Sequence, residues 1–211
     1  MSAYNDLDIT CEQCGEEFRG TVWTAIHAGV DPELKDLLLG GELNMVMCPK
    51  CSHVAFQDHF LIYQEPADEL VAYVYPENQE ENREELRLMM LKGFREAQEG
   101  FEPKARLNYE PVLFFGLESL VEHINEELDW TEQSDVAAAV CKEKDIGFIR
   151  IRPSESRRLK LPRILPRVGN SAKPDRVSVM AGIKALLSAN PLLSLYADQL
   201  EVIQGDVQWY L

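Results

Sequence analysis

The spacing of hydrophobic positions changes along the chain, from a period of roughly two residues to one of roughly 3.6. Phe18, Val22 and Ile26 alternate with Arg19, Thr21 and Trp23, which predicts a strand. Asp31-Pro32-Glu33 supplies an N-cap, a first-turn proline and an early acid. The short helix they open presents Leu34, Leu37 and Leu38 and stops at Gly40-Gly41. Val54, Phe56, Phe60 and Ile62 predict a second strand, interrupted at Asp58, and a turn at residues 65–68 leads to a third at Leu70–Tyr75. Pro76 and the polar run ENQEEN then mark a boundary, giving domains at 1–76 and 77–211.

Helical spacing dominates the second part. Leu86, Met89, Met90, Phe94 and Ala97 predict a helix over 79–98, and Leu113, Leu117, Leu120, Ile124 and Leu128 a helix over 110–129. Residues 132–144 read as a third helix, 146–151 as a short strand, 177–189 as a helix, and Pro191 as the opening of another reaching about Ile203. The apolar ending DVQWYL is expected to dock, as a strand.

Cysteine spacing adds chemistry to this pattern. Four of the five cysteines form two pairs, Cys11-Glu-Gln-Cys14 and Cys48-Pro-Lys-Cys51. A two-residue gap lets the chain curl so that both sulfurs reach one ion, and two such knuckles facing each other complete a tetrahedron of thiolates. The flanks resemble one another, ITCEQCGEEF and VMCPKCSHVAF, with Gly15 and Ser52 at the matching place after each knuckle. Gly15 readily takes the left-handed backbone such a turn favours, and Ser52 does so less easily. The expected metal is zinc, held by Cys11, Cys14, Cys48 and Cys51. Iron held as in rubredoxins is the alternative, because thiolates alone do not separate the two. Cys141, in AAAVCKEK, reads as a small buried hydrophobe. The expected fold class is therefore α+β: a small antiparallel zinc-ribbon-like sheet with a helical insert, followed by a mainly α-helical region.

Charge narrows the function classes. The chain has 36 Asp+Glu against 21 Lys+Arg, a net charge of −15 and a pI near 4.7, which argues against an electrostatic nucleic-acid binder. Residues 150–176 depart from this, with nine Lys or Arg against two acids and four prolines. Proline this dense predicts an extended or looped segment, and Arg157, Arg158, Lys160, Arg163 and Arg167 are its candidate partner-binding residues. Glu118, Glu122 and Glu126 line one helix face as a solvated stripe or as a dock for something basic, including the chain's own residues 150–176. No apolar run is long enough to span a bilayer and the N-terminus lacks a basic start and apolar core, so a cytoplasmic protein is expected.

No phosphate-binding, dinucleotide-binding, nucleophile-elbow or His-Glu-x-x-His motif is present. His123 with Glu126 and Glu127 reads as a solvated group, and His53 and His59 as bystanders to a site that four thiolates already close.

The stretch from Ile9 to about residue 100 resembles the CpXC domain family, named for its Cys-Pro-Xaa-Cys pattern. The resemblance is carried by Cys11, Cys14 and the signature Cys48-Pro-Lys-Cys51, by AIHAGVDPEL and LLLGGELN between the knuckles, and by LIY and Pro76 beyond them. The first pair lacks the proline, and Ser52 stands where glycine is usual; neither change removes a ligand. The resemblance implies a bacterial or archaeal zinc-ribbon-like protein and implies no activity. The preferred reading is a zinc-binding protein acting through a protein partner or self-association, not an enzyme. A nucleic-acid-binding ribbon and a rubredoxin-like electron carrier are the alternatives.

Overall fold

The computed structural model describes residues 1–169 and 175–205 and divides into two compact units, Met1–His123 and Ile124–Leu211. The expected end at DVQWYL lies outside the described residues.

In the first unit, strands β1 (Ala3–Thr10) and β2 (Glu17–His27) form an antiparallel hairpin across the first knuckle. Helix α1 (Pro32–Leu39) follows. Its predicted cap differs: Asp31 makes no side-chain bond to the helix and accepts instead from the backbone N–H of Ser2 at 3.1 Å. The Ser2 side chain, and after it this backbone bond, hold the Asp31 carboxyl below its usual range. Strands β3 (Met45–Met47) and β4 (Val54–Phe56) pair across the second knuckle as a separate two-stranded hairpin. The strand expected over 54–62 is therefore two. Asp58 breaks it, its carboxylate accepting from the backbone N–H of Glu77 at 3.0 Å, and β5 (Leu61–Glu65) joins the main sheet instead.

Strand β6 (Leu70–Tyr75), the 3-10 turns of Glu77–Asn82, helix α2 (Arg83–Glu99) and strand β7 (Val112–Phe115) complete the sheet, in order β1-β2-β5-β6-β7. It is mixed, where an antiparallel sheet was expected: β2 pairs β5 in parallel, and β6 pairs β7 in parallel. Parallel neighbours need a long return path. Helix α1 with the β3–β4 hairpin provides the first and α2 provides the second. Pro76 therefore falls inside this unit, and the units divide after His123. Leu61 and Tyr63 of β5 and Leu70, Ala72 and Val74 of β6 are buried on one sheet face, in register Leu61 opposite Val74 and Tyr63 opposite Ala72. The buried Tyr63 donates to Glu65 at 2.6 Å, and the same carboxylate takes Lys35 of α1 at 2.6 Å.

Helix α3 (Gly116–Glu143) replaces the two helices expected over 110–129 and 132–144. Leu113 belongs to β7, and Gly116, at φ 74°, makes the change of direction into the helix.

The second unit, from Ile124, is helical around a small hairpin. Strands β8 (Gly147–Arg150) and β9 (Ile164–Arg167) pair antiparallel with α4 (Pro153–Leu159) between them, followed by α5 (Arg176–Ala189) and α6 (Ser194–Gly205). Within its described residues the basic segment holds a helix, α4, and an extended strand, β9; the strand fits the extended form expected and the helix does not. Pro153 occupies the first turn of α4, where its missing N–H has no partner to lose. Ala137, Cys141, Ile164, Leu165, Val179, Ile183, Leu186 and Tyr196 form the core. Tyr196 donates from its buried hydroxyl to the Ile164 carbonyl at 2.8 Å. Among the described residues no helix is long and apolar enough to cross a membrane.

Candidate metal centre

Each cysteine pair folds by the same local rule. The Gly15 N–H donates to the Cys11 carbonyl at 2.8 Å, and the Cys11 N–H donates to the Glu16 carbonyl at 2.8 Å. In the second knuckle Ser52 N–H donates to Cys48 at 2.9 Å and Cys48 N–H donates to His53 at 2.8 Å. Both turns close on a residue of positive φ, 71° at Gly15 and 60° at Ser52, so serine takes the strained backbone at the place where the first copy has glycine.

The two turns bring four sulfurs within 4.8 Å of one another, the one such group of potential ligands among the described residues. Cys11 Sγ lies 3.6 Å from Cys51 Sγ, and Cys14 Sγ lies 3.7 Å from Cys48 Sγ. A tetrahedral ion with metal–sulfur bonds of about 2.3 Å has edges of about 3.8 Å, so the array has the size of such a site. The sulfurs are free thiols, too far apart for a disulfide. Cys11 and Cys48 are buried, Cys14 is half-buried and Cys51 exposed, so one edge of the cluster faces solvent.

Electrostatics within the cluster favour a cation. At Cys48 burial opposes ionisation, but the amides of Cys51 and Lys50 and the sulfurs of Cys11 and Cys14 outweigh it and bring the thiol down to about 7. At Cys14 the Glu16 amide favours the thiolate, yet burial and the thiols of Cys51, Cys11 and Cys48 win, and it is pushed up to about 12. Four thiols this close do not all ionise without a positive ion among them. Lys50, inside the second knuckle, bonds Glu16 of the first at 2.9 Å, which holds its own pKa above the usual range and places an ammonium beside the sulfurs. Gln13 accepts from the Cys51 thiol at 3.8 Å.

Asn44 is a supporting residue that periodicity does not mark. It is buried at φ 60°; its side-chain oxygen accepts from Trp23 N–H at 2.7 Å and its amide donates to the Trp23 carbonyl at 3.1 Å. The side chain thereby continues the hydrogen-bond ladder of β2 just where β5 does not reach, and ties the second hairpin to the sheet. Gly20 adds a close contact: a Cβ there would lie 2.6 Å from Ile9 Cδ1 and 3.1 Å from Val46 Cγ1.

The other candidates stand apart from the cluster. His53 contributes its backbone carbonyl, and neither it nor His59 belongs to the ligand group. His123 is half-buried against Phe114, with ring centroids 5.2 Å apart, rather than solvated. Of the basic residues, Arg157 reaches Glu127 at 3.3 Å and Arg163 bonds the same carboxylate, all three largely buried. Arg158 and Lys160 are exposed, and Arg167 is half-buried in β9. The acidic dock for this segment is therefore Glu127, while Glu118, Glu122 and Glu126 remain exposed. Cys141 is buried, and burial pushes its thiol up to about 11, as fits a packed hydrophobe.

Two matched knuckles standing on a mixed sheet define a protein built around a four-cysteine cluster suited to a metal ion. The chain belongs to the CpXC protein family, which matches it over residues 9–136 and so reaches beyond the first hundred residues. Neither curated proteins nor solved structures give a significant match.

Proposed function

We propose that Cys11, Cys14, Cys48 and Cys51 hold one zinc ion as a structural centre, and that this cytoplasmic protein works by binding another protein rather than by catalysis. The observation that carries the reading is the pair of knuckles with matching hydrogen bonds and a sulfur spacing of tetrahedral size. Four thiolates fill a tetrahedron and leave no position for an activated water, which favours a structural over a catalytic ion. Unpaired thiols held ready as ligands suit a reducing compartment.

Elemental analysis of the native protein should return one zinc per chain and no visible absorbance. Removal of the ion by a strong chelator should abolish amide protection in the two knuckles and in β3–β4, since metal binding and local folding are linked. Protection that survives metal removal would end the structural role. The exposed edge at Cys51 is the observation that favours a second reading, iron with electron exchange at that edge. A coloured protein with thiolate-to-iron absorption would establish iron and overturn zinc.

A further inference from the structure

The hairpin carried by the second knuckle turns large apolar side chains outward. Met45 and Met47 of β3 and Val54 and Phe56 of β4 are 46%, 63%, 46% and 45% exposed, whereas Val46 between them is buried. They form two directly opposed pairs, Met45 with Phe56 and Met47 with Val54, and so make one continuous face. Contiguous apolar surface of this kind on a soluble domain marks a contact site far more often than scattered single residues do.

Phe56 also forms one wall of an adjoining pocket of about 400 Å³, whose other apolar walls include Leu38, Leu43, Leu117 and Val121. The polar lining of this pocket is acidic: Asp58, Glu77 and Glu118. Asp58 is held in place by the Glu77 amide. Among the described residues no lysine or arginine lines the pocket. The surrounding unit, residues 1–123, has 24 Asp+Glu against 9 Lys+Arg.

We propose that the outer face of β3–β4 and the acid-lined pocket beside Phe56 form one docking surface for a basic polypeptide segment, with apolar side chains on Met45, Met47, Val54 and Phe56 and a lysine or arginine in the pocket. The aliphatic stem of such a side chain covers the leucine walls while its charged head meets Asp58, Glu77 and Glu118. Electrostatic complementarity selects this occupant. A second copy would bring the same acidic face against itself, and like charge opposes that pairing. The proposal rests on the zinc reading to the extent that the knuckle orders the hairpin.

The test selects displayed random dodecapeptides on the zinc-loaded full chain, with zinc content measured for every preparation. Enriched peptides are expected to combine Leu, Ile or Phe with Lys or Arg. Their affinity should fall roughly tenfold, about 1.4 kcal/mol, in Phe56→Asp and again in the Glu77→Lys/Glu118→Lys pair. Met45→Lys, at the edge of the face, serves where Phe56→Asp does not fold. Enrichment of acidic peptides, no enrichment above scrambled controls, or affinities indifferent to all these changes overturns the proposal. Sedimentation that shows a dimer dispersed by Met45→Lys gives the face to a second copy and overturns it too. Binding that persists in a chain without zinc sinks the zinc reading alone; zinc retained without binding sinks the docking surface alone.

Discussion

Replacing Asn44 by alanine isolates the link between the second knuckle and the sheet. The substitution removes two hydrogen bonds, from Trp23 N–H at 2.7 Å and to the Trp23 carbonyl at 3.1 Å, and keeps the backbone bond from Gln57 to the Asn44 carbonyl at 2.9 Å. Each lost bond costs about 1 kcal/mol net, and about 1–3 kcal/mol where the abandoned group stays out of water. Alanine at φ 60° adds roughly 1 kcal/mol of backbone strain. Asn44→Ala should therefore lose about 3–7 kcal/mol. Asn44→Gly loses the same two bonds without the added strain, and should lose roughly 1 kcal/mol less. Equilibrium urea unfolding of metal-loaded protein, followed by Trp fluorescence and by metal transfer to a chromophoric chelator, reads both effects. An alanine variant within about 0.5 kcal/mol of the parent, inside ordinary surface-substitution scatter, would refute the argument. A glycine variant as stable as the parent would show that only the backbone angle matters.

Ser52→Gly relieves the left-handed backbone of the second knuckle and should raise stability by up to about 1 kcal/mol, read as a higher melting temperature of the metal-loaded protein. Glu127→Ala leaves Arg157 and Arg163 without their shared carboxylate in a site where all three side chains are at most 15% exposed, and should cost the second unit about 3 kcal/mol in denaturant unfolding. Gly182→Ala drives a Cβ to 2.4 Å from the Arg167 amide and the Pro166 carbonyl carbon; backbone yields poorly, so a loss of about 1–3 kcal/mol or more is expected in the melting of the same unit. Burial raises the pKa of Tyr63 and Tyr196 above the ordinary 10.0. A raised folded-state pKa contributes stability below the unfolded value and loses it above, so melting temperature should hold to about pH 10 and then fall, less steeply in Tyr63→Phe.

The cluster was readable because its signal is local. Two equal spacings and a glycine after the first fix the knuckles without reference to the rest of the chain, and Ser52 adopts the matching backbone despite its side chain. The long alternation of β2 and the proline-led start of α1 were readable for the same reason. Pairing direction was not, since which strands become neighbours depends on where α1 and α2 carry the chain. Leu113 sits at helical spacing from Leu117, yet VLFF is a half-buried four-residue strand; Gly116 separates the two elements and is the signal that spacing alone passes over. Proline density in residues 150–176 predicts an extended or looped segment, which fits β9 but not α4, because the position of each proline matters more than their number: Pro153 starts a helix, and Pro166 lies in a strand of a two-stranded hairpin, where one side needs no donor. Asn44 carries no periodic signature, because its role depends on an edge of β2 that exists only in the folded sheet.

The attachments of the second hairpin say what a metal at the proposed site would do. The main sheet includes β1 and β2 of the first knuckle but not β3 and β4 of the second. Two strands of three residues each are too little to hold themselves together in water. Within the first unit they lean on Asn44 against Trp23, on Val46 beside Gly20 and Ile9, and on the sulfurs of Cys48 and Cys51 facing Cys14 and Cys11. A metal at the sulfurs therefore acts as a clamp on one hairpin, while the buried rows of β5 and β6 are stabilised independently of it. The same hairpin is the one whose outer face carries Met45, Met47, Val54 and Phe56. On the proposed zinc reading, occupancy of the cysteine cluster and order of the exposed apolar face are coupled through a few residues. A clamp placed there sets whether that face has a defined shape, with little effect on whether the sheet beneath it folds.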